Sequence, residues 1–359
     1  GDWIMAYTTI DDPSAHFQTK IYTGNGSSGH AITFDGNSNM QPDWVWNKSR
    51  SIADSHALFD STRGVNKILY SNVNLDEDTD GNGNIESFDS NGITVGGNQE
   101  YANKSGSSQV TWAWKANGGT TTDGSSNDSV STSNHQANTT AGFSIVSYTG
   151  NNSAGATVAH GLGAAPTVLI VKNRDSDRGW MVYHHKNTSA PATEYLWLDD
   201  DNATSDYEGS WNDTAPTSTV FSVGNSNETN ENNSKHIAYC FVEKQGYSKF
   251  GSYTGNGNAD GPFIYTGFKP AWVMFKITSA TDSWFIIDNK RSTFNPAQKQ
   301  LFANLTDSEG TNRPIDLLSN GIKIRDTSTS HNNNGQSYIY MAFAEHPFVS
   351  SKGVPVTAR

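Results

Sequence analysis

The chain has 359 residues, a formal net charge of −12, and only 34% hydrophobic and 17% charged residues. The negative charge argues against a nucleic-acid-binding surface, which needs a basic patch, and the chain lacks an apolar run of about 18 residues that could cross a membrane. Its one cysteine, Cys240, excludes an internal disulfide framework and thiolate-based zinc clusters. The abundance of Ser, Asn, Asp and Gly, which disfavour helices, predicts short strands joined by polar turns.

A four-residue phrase recurs three times along the chain. The copies read Tyr-Thr-Gly-Asn and begin at Tyr22, Tyr148 and Tyr253. Each copy is followed by a proline, an apolar run and a lysine, the lysines being Lys48, Lys172 and Lys276. A period of about 100 residues is too long for a solenoid unit, so it predicts tandem copies of one complete domain.

The predicted fold class is all-β, with three tandem β-sandwich domains of jelly-roll or lectin-like type, each of about 100 residues. Asn-Gly pairs at Asn91 and Asn320 predict hairpin turns that lead into alternating strands. The best candidate for a helix is the short segment 296–302. The predicted divisions are a lead (1–19), a first repeat (20–116), a low-complexity linker (117–140), a second repeat (141–244), a third repeat (245–347) and a tail (348–359).

Three apolar segments are predicted to be the closing strands of the repeats: Val110–Trp114, Ile237–Phe241 and Ile339–Phe343. Cys240 stands where the other two segments have Ala113 and Ala342, so we interpret it as a small buried residue rather than a nucleophile. Trp44 and Trp46 align with aliphatic residues in other repeats. We therefore predict that they pack in the core and do not stack on sugars.

Rings that stack on a ligand are expected in loops instead. The candidates are Tyr101, Tyr207, Trp211 and Tyr265. An aromatic ring beside hydrogen-bonding groups suits the faces and hydroxyls of a sugar. Single exposed rings are also common on surfaces that bind nothing, and this alternative stays open.

The segment from Asp78 to Asp89 has the spacing of an EF-hand-type calcium loop. Asp78, Asp80 and Asn82 would supply side-chain oxygens, Asn84 a backbone carbonyl, and Asp89 the last ligand. We expect a bound Ca²⁺ to have a structural role here. Neither flank predicts a helix, and hairpin loops rich in Asp, Asn and Gly produce such strings by chance, so an ordinary loop is the alternative.

The sequence contains no nucleophile elbow, phosphate loop or His-Glu-x-x-His motif, and we predict that the protein is not an enzyme. Carboxylates are plentiful, so a glycosidase pair is not excluded. One polar pair recurs: it is Asp60 and Arg63 in the first repeat, Asp288 and Arg291 in the third, and His184 and Asn187 in the second. We favour a structural ion pair over a polar grip on a ligand.

Several phrases resemble those of uncharacterised virion or tail-fibre proteins of tailed bacteriophages, marine phages in particular, that carry lectin-like β domains. The phrases are Met5–Pro13, Leu58–Gly64, Val110–Ala116, His160–Gly163, Val171–Arg174 and Gly353–Arg359. The resemblance implies a place in the virion, other virion proteins as partners, and a homotrimer. The resemblance assigns no catalytic or binding role to any residue of this chain.

The leading hypothesis is a receptor-binding or accessory tail-fibre protein that contacts host cell-surface polysaccharide through loops. A purely structural virion protein, such as a capsid decoration or a fibre shaft, is one alternative. A polysaccharide depolymerase is another, and a secreted bacterial adhesin with similar domains is a third.

Overall fold

The computed structural model describes residues 6–79 and 85–356. Strands take 40% of the chain and helices 4%. The predicted all-β class is therefore confirmed. Segment 296–302, the candidate helix, instead ends in a two-residue strand, Leu301–Phe302.

The first repeat forms two antiparallel sheets, and a short 3-10 helix (Pro13–Ala15) precedes them. Its strands are β1 (Phe17–Thr23), β2 (His30–Thr33), β3 (Trp44–Ser49), β4 (Ala57–Asp60), β5 (Leu69–Tyr70), β6 (Ile85–Asp89), β7 (Gly92–Val95) and β8 (Ser108–Trp114). The order β1-β8-β3-β4-β5 makes the larger sheet, which we call the inner sheet. The order β2-β7-β6 makes the smaller outer sheet.

The second repeat has a wider inner sheet. Its elements are β9 (Thr122–Asp123), β10 (Thr132–Asn138), β11 (Phe143–Thr149), β12 (Ala156–Ala159), β13 (Val168–Asn173), β14 (Met181–His184), β15 (Glu194–Trp197), β16 (Ser205–Asp206), α1 (Glu208–Trp211), β17 (Val220–Val223), α2 (Asn227–Asn230) and β18 (Lys235–Phe241). The inner sheet has the order β16-β15-β14-β13-β18-β11-β10-β9, and β12 and β17 form the outer sheet.

Part of the predicted linker 117–140 is thus regular structure. Strands β9 and β10 both lie in it, and β10 pairs with β11 along all seven of its residues. The side chains of β10 are mostly polar, so its stability comes from backbone pairing with β11 on one side and β9 on the other. Composition does not reveal that kind of strand.

The third repeat follows the plan of the first. Its elements are β19 (Ser248–Thr254), β20 (Phe263–Tyr265), β21 (Phe268–Ile277), β22 (Phe285–Asp288), β23 (Leu301–Phe302), β24 (Ile315–Leu318), β25 (Gly321–Ile324), α3 (Thr329–Asn332) and β26 (Ser337–Pro347). The inner sheet has the order β19-β26-β21-β22-β23 and the outer sheet the order β20-β25-β24. Both predicted Asn-Gly hairpins are confirmed, as β6–β7 and β24–β25.

The recurring Tyr-Thr-Gly-Asn phrase fixes the end of one equivalent strand in each repeat, namely β1, β11 and β19. Tyr22 donates a hydrogen bond of 2.6 Å to the carbonyl of Ala102, and the side chain of Asn103 accepts one of 3.0 Å from the backbone N–H of Asn25. A Cβ on Gly24 would lie 2.3 Å from the carbonyl oxygen of Lys104, so only glycine fits there. The same contacts recur from Tyr148 to Thr229, Asn151 to Asn230, Tyr253 to His331 and Asn256 to Asn332. The phrase therefore has a structural role.

The three inner sheets pack against one another through a shared hydrophobic cluster. Trp44 stacks on Tyr239 of the second repeat with ring centroids 4.3 Å apart, and Trp114 meets Trp272 of the third edge to face at 5.7 Å. Phe343 of the third repeat contacts Trp114 of the first repeat and Phe241 of the second, so all three repeats meet in this cluster. The predicted core role of the tryptophans is confirmed, and Cys240 is likewise fully buried. A separate core lies inside each repeat, between its inner and outer sheets.

Candidate functional site

The three recurring lysines lie at the boundaries between repeats. Lys48 donates to the carbonyls of Ser49, Ile52 and, across the boundary, Thr306 of the third repeat. Lys172 and Lys276 make the equivalent contacts with Asn74 of the first repeat and Asp201 of the second. Burial lowers the pKa of each lysine to about 8. A lowered pKa is common in catalytic lysines, but these ammonium groups are enclosed by carbonyls and tie neighbouring repeats together.

The recurring polar pair is a buried ion pair, as predicted. Asp60 and Arg63 bond to each other with fully buried side chains, and so do Asp288 and Arg291. The carboxylate of Asp60 also accepts a hydrogen bond of 2.8 Å from Tyr239 of the second repeat. These groups are sealed from solvent, so they cannot hold an external ligand.

The predicted calcium loop lies only partly within the described residues. Asp80, Asn82 and Asn84 fall outside them. The backbone of Asp78 pairs with Ile68 in an isolated bridge, and the carboxylate of Asp89 accepts hydrogen bonds from the hydroxyls of Ser87 and Thr94 at 2.6 and 2.8 Å. Within residues 6–79 and 85–356, no cluster of three or more His, Cys, Asp or Glu side chains could hold a metal. The calcium site stays a prediction.

The structure separates the four candidate ligand-stacking rings into two groups. Trp211 is 1% exposed and donates its indole N–H to the carbonyl of Glu194 at 3.0 Å, while Tyr101 is 8% exposed and packs edge to face on Tyr70. Both rings are covered and serve packing. Tyr207 and Tyr265 remain exposed, at 47% and 54%.

Tyr265 does not stand alone, because Phe263 projects from the same side of β20 and is 48% exposed. Alternate residues of a strand share one face, about 7 Å apart. Gly321 of β25 lies opposite Tyr265, and a Cβ there would come within 2.8 Å of the Phe263 ring. The glycine therefore makes room for the Phe263 ring to lie against β25. We call the surface formed by Phe263, Tyr265 and Gly321 the aromatic face.

Polar groups line the rim of the aromatic face. The ammonium of Lys323 lies 2.7 Å from the exposed carboxylate of Asp260, and this hydrogen bond lowers the pKa of the carboxyl group. Tyr7 donates a hydrogen bond of 2.7 Å to the carbonyl of Gly267, and its hydroxyl lies 3.4 Å from that of Tyr265. Burial raises the pKa of Tyr7, so its hydroxyl stays protonated. Two open ring surfaces thus stand beside hydroxyl, carboxylate and ammonium groups.

The first and second repeats carry no rings at the equivalent positions. Strand register places Ala31 and Thr33 of β2, and Thr157 and Ala159 of β12, where the third repeat has Phe263 and Tyr265. The sequence interpretation identified Tyr265 and missed Phe263. The signal was the alternation Phe263-Ile264-Tyr265, which predicts a strand with two rings on one side and a core residue on the other.

Among the described residues, no helix combines the length and apolar character that a membrane span requires. A search of curated proteins finds no match. A family model described as "Domain of unknown function (DUF7483)" matches residues 12–347, a range that covers all three repeats at once. Since this match takes in nearly the whole chain, the protein belongs to the DUF7483 family.

Proposed function

We propose that the protein is a bacteriophage virion component of the tail-fibre or receptor-binding type. It binds a host surface polysaccharide on the aromatic face of the third repeat. The observation that carries the binding proposal is the pair of half-exposed rings, Phe263 and Tyr265, on one side of a strand. The virion assignment rests on the sequence resemblance described above.

The ring spacing suits an extended glycan. Two rings about 7 Å apart along a strand can contact neighbouring sugar units through their apolar faces. The Tyr7 and Tyr265 hydroxyls can exchange hydrogen bonds with sugar hydroxyls, and the carboxylate of Asp260 can accept hydrogen bonds from them. Because Lys323 is already paired with Asp260 and the chain has a net charge of −12, the face suits a neutral glycan better than a polyanionic one.

The experiment is a binding measurement on an array of bacterial surface polysaccharides. We expect the wild-type protein to bind a neutral glycan, and Phe263→Ala and Tyr265→Ala each to weaken binding about tenfold. Tyr207→Ala, which removes an equally exposed ring elsewhere, is the matched control and should bind as the wild type does.

Other outcomes favour other functions. Equal binding by all variants would place the glycan site elsewhere, and no binding would favour a purely structural virion protein. Shortened glycan chains in the same samples would indicate a depolymerase, against the proposal of a non-enzymatic binder. Loss of binding with a chelator would implicate the Asp78–Asp89 loop. The expected homotrimer stays a prediction, which light scattering on the purified protein tests.

A further inference from the structure

Strand β1 and its equivalents, β11 in the second repeat and β19 in the third, each have one edge that faces a neighbouring repeat. Strand β1 bonds to β8 through its even-numbered residues, as the flanking bonds from Lys115 to His16 and from Gly24 to Ser107 show. In an antiparallel pair the alternate residues direct their N–H and C=O groups to the other side. Phe17, Thr19 and Ile21 therefore present their backbone groups at the outer edge of β1.

In the second repeat the chain itself covers this edge. Strand β10 lies against β11, with Gln136 opposite Ile145. The side-chain amide of Gln136 also donates to the hydroxyls of Ser61 and Thr62 in the first repeat, at 2.8 and 2.6 Å. An added strand thus fills the cleft between the first and second repeats.

In the third repeat, side chains cover the edge instead. The N–H of Phe250, the residue of β19 equivalent to Ile145, donates to the carboxylate of Glu243 at 2.7 Å. The carbonyl of Phe250 accepts from the imidazole of His185 at 2.7 Å. The cleft between the second and third repeats is closed in this way.

The equivalent edge of the first repeat is open. Thr19 of β1 takes the place of Ile145 and Phe250, and no hydrogen bond joins its backbone N–H or carbonyl to any described residue. Its hydroxyl is buried and also lacks a partner among those residues. A cleft of about 160 Å³ lies beside it, lined by Gln18 of the first repeat and by Asn289 and Lys290 of the third.

The far wall of the open cleft matches the wall of the filled one. Asn289 and Lys290 come directly after β22, just as Ser61 and Thr62 come directly after β4. The backbone N–H of Asn289 donates to the carbonyl of Ala271, and the N–H of Ser61 donates to the carbonyl of Asp43 in the same way. An exposed ion pair between Lys290 and Asp35, 3.1 Å long, spans the rim. Such a pair contributes little and can be displaced at small cost.

We propose that the β1 edge binds an extended polypeptide segment of another protein, which adds a strand to the inner sheet of the first repeat. Main-chain bonds to Phe17, Thr19 and Ile21 would hold the segment, as in other cases of strand addition. The segment is polar and uncharged, with a carboxamide side chain opposite Thr19 that reaches Asn289, because this is how Gln136 meets Ser61 and Thr62. This peptide site is independent of the aromatic face.

The probe is a fluorescent nonapeptide with the sequence of residues 131–139, and binding to the full chain is measured by anisotropy. The even-numbered residues of β10 direct their amides to β11, whereas Ser133 bonds on the β9 side. N-methylation at Gln136 should therefore weaken binding about tenfold, the effect of losing one main-chain hydrogen bond. N-methylation at His135 should change it less than about twofold.

A matched pair of protein variants locates the site. Lys290→Trp fills the open cleft and should abolish binding, whereas Lys186→Trp, at the equivalent turn beside the closed cleft, should leave it unchanged. The proposal is overturned if the unmodified peptide shows no saturable binding. It is equally overturned if both N-methylated peptides bind alike, or if both tryptophan variants behave alike.

Discussion

The carboxylate of Glu77 accepts hydrogen bonds of 2.8 and 2.9 Å from the guanidinium of Arg174, across the boundary between the first and second repeats. Arg63 of the buried ion pair lies 3.2 Å from the same carboxylate. The network recurs between the third and first repeats with Glu309, Arg50 and Arg291. At the remaining boundary all members are neutral, namely Asn187, Thr204 and Thr278. Each boundary therefore has either one glutamate with two arginines or three neutral residues at these positions, since a lone buried charge is costly.

Glu77→Gln should therefore destabilise the protein by about 3 kcal/mol, because it leaves two largely buried guanidinium groups without their shared carboxylate. Chemical denaturation measures the free energy of unfolding. Thr204→Val, at the neutral boundary, is the control and should cost only about 1 kcal/mol. Equal losses in the two variants would contradict the view that the charges themselves matter.

Replacing Trp272 should destabilise the protein strongly, because this residue belongs to the shared core. It is 1% exposed and contacts rings of the first repeat. Trp272→Ala should lower the free energy of unfolding by about 3–5 kcal/mol, because it opens a cavity where the repeats meet. Phe294→Ala, which removes a ring that is 84% exposed, should leave the melting temperature nearly unchanged. Similar melting of both variants would show that Trp272 does not hold the repeats together.

We expect the free energy of unfolding to decrease in acid because of His184. Its Nε2 donates to the carbonyl of Tyr340 and its Nδ1 accepts from the N–H of Lys186, so it is neutral. Burial, together with neighbouring His185, lowers its pKa from 6.5 to about 3. The unfolded chain therefore binds an extra proton between these values, and stability is lost as the pH falls below 6.5. At pH 4 the loss from this group is about 3 kcal/mol.

His184→Asn should consequently flatten the dependence of the unfolding free energy on pH between 6.5 and 4. Above pH 7 the two proteins should show the same slope, which provides an internal control. Parallel profiles throughout the acid range would mean that His184 is already protonated in the folded protein.

The buried lysines predict a trend of the same sign in mild alkali, where stability should again rise with pH. Burial lowers the pKa of Lys48 from 10.5 to about 8, so between these values the unfolded chain holds the extra proton. The contribution of Lys48 to stability then rises with pH above 8. Comparing wild type with Lys48→Met at pH 7.5, 8.5 and 9.5 isolates this contribution, because other groups titrate equally in both proteins. A difference between the two that is constant across these pH values would contradict the lowered pKa.

Much of the fold could be predicted because it depends on local pattern. The closing strands, the Asn-Gly hairpins and the burial of Cys240 follow from alternation and from comparison of the repeats with one another. The ion pair of Asp60 and Arg63 followed from its recurrence three residues apart. Each of these features is visible within a short stretch of sequence.

Features that depend on neighbours could not be predicted in the same way. Strand β10 has few apolar residues, and its pairing with β11 and β9 makes it a strand. Trp211 was expected in an exposed loop, but it ends the short helix α1 and is covered by the second repeat's own core. That the tryptophans of the first repeat would meet rings of the other two was not visible either, because alternation shows which face is apolar but not what covers it.

The three boundaries differ from one another, and so do the three outer sheets. A homotrimer with strict threefold symmetry must repeat every substitution at all three of its interfaces. A chain that carries its three copies covalently has no such constraint, so each copy can change alone. Here one copy carries exposed rings, one boundary has Asn187, Thr204 and Thr278 in place of the charged network, and one cleft is open, while the common core keeps all three copies in place. Broken symmetry is thus a consequence of joining the repeats in a single polypeptide.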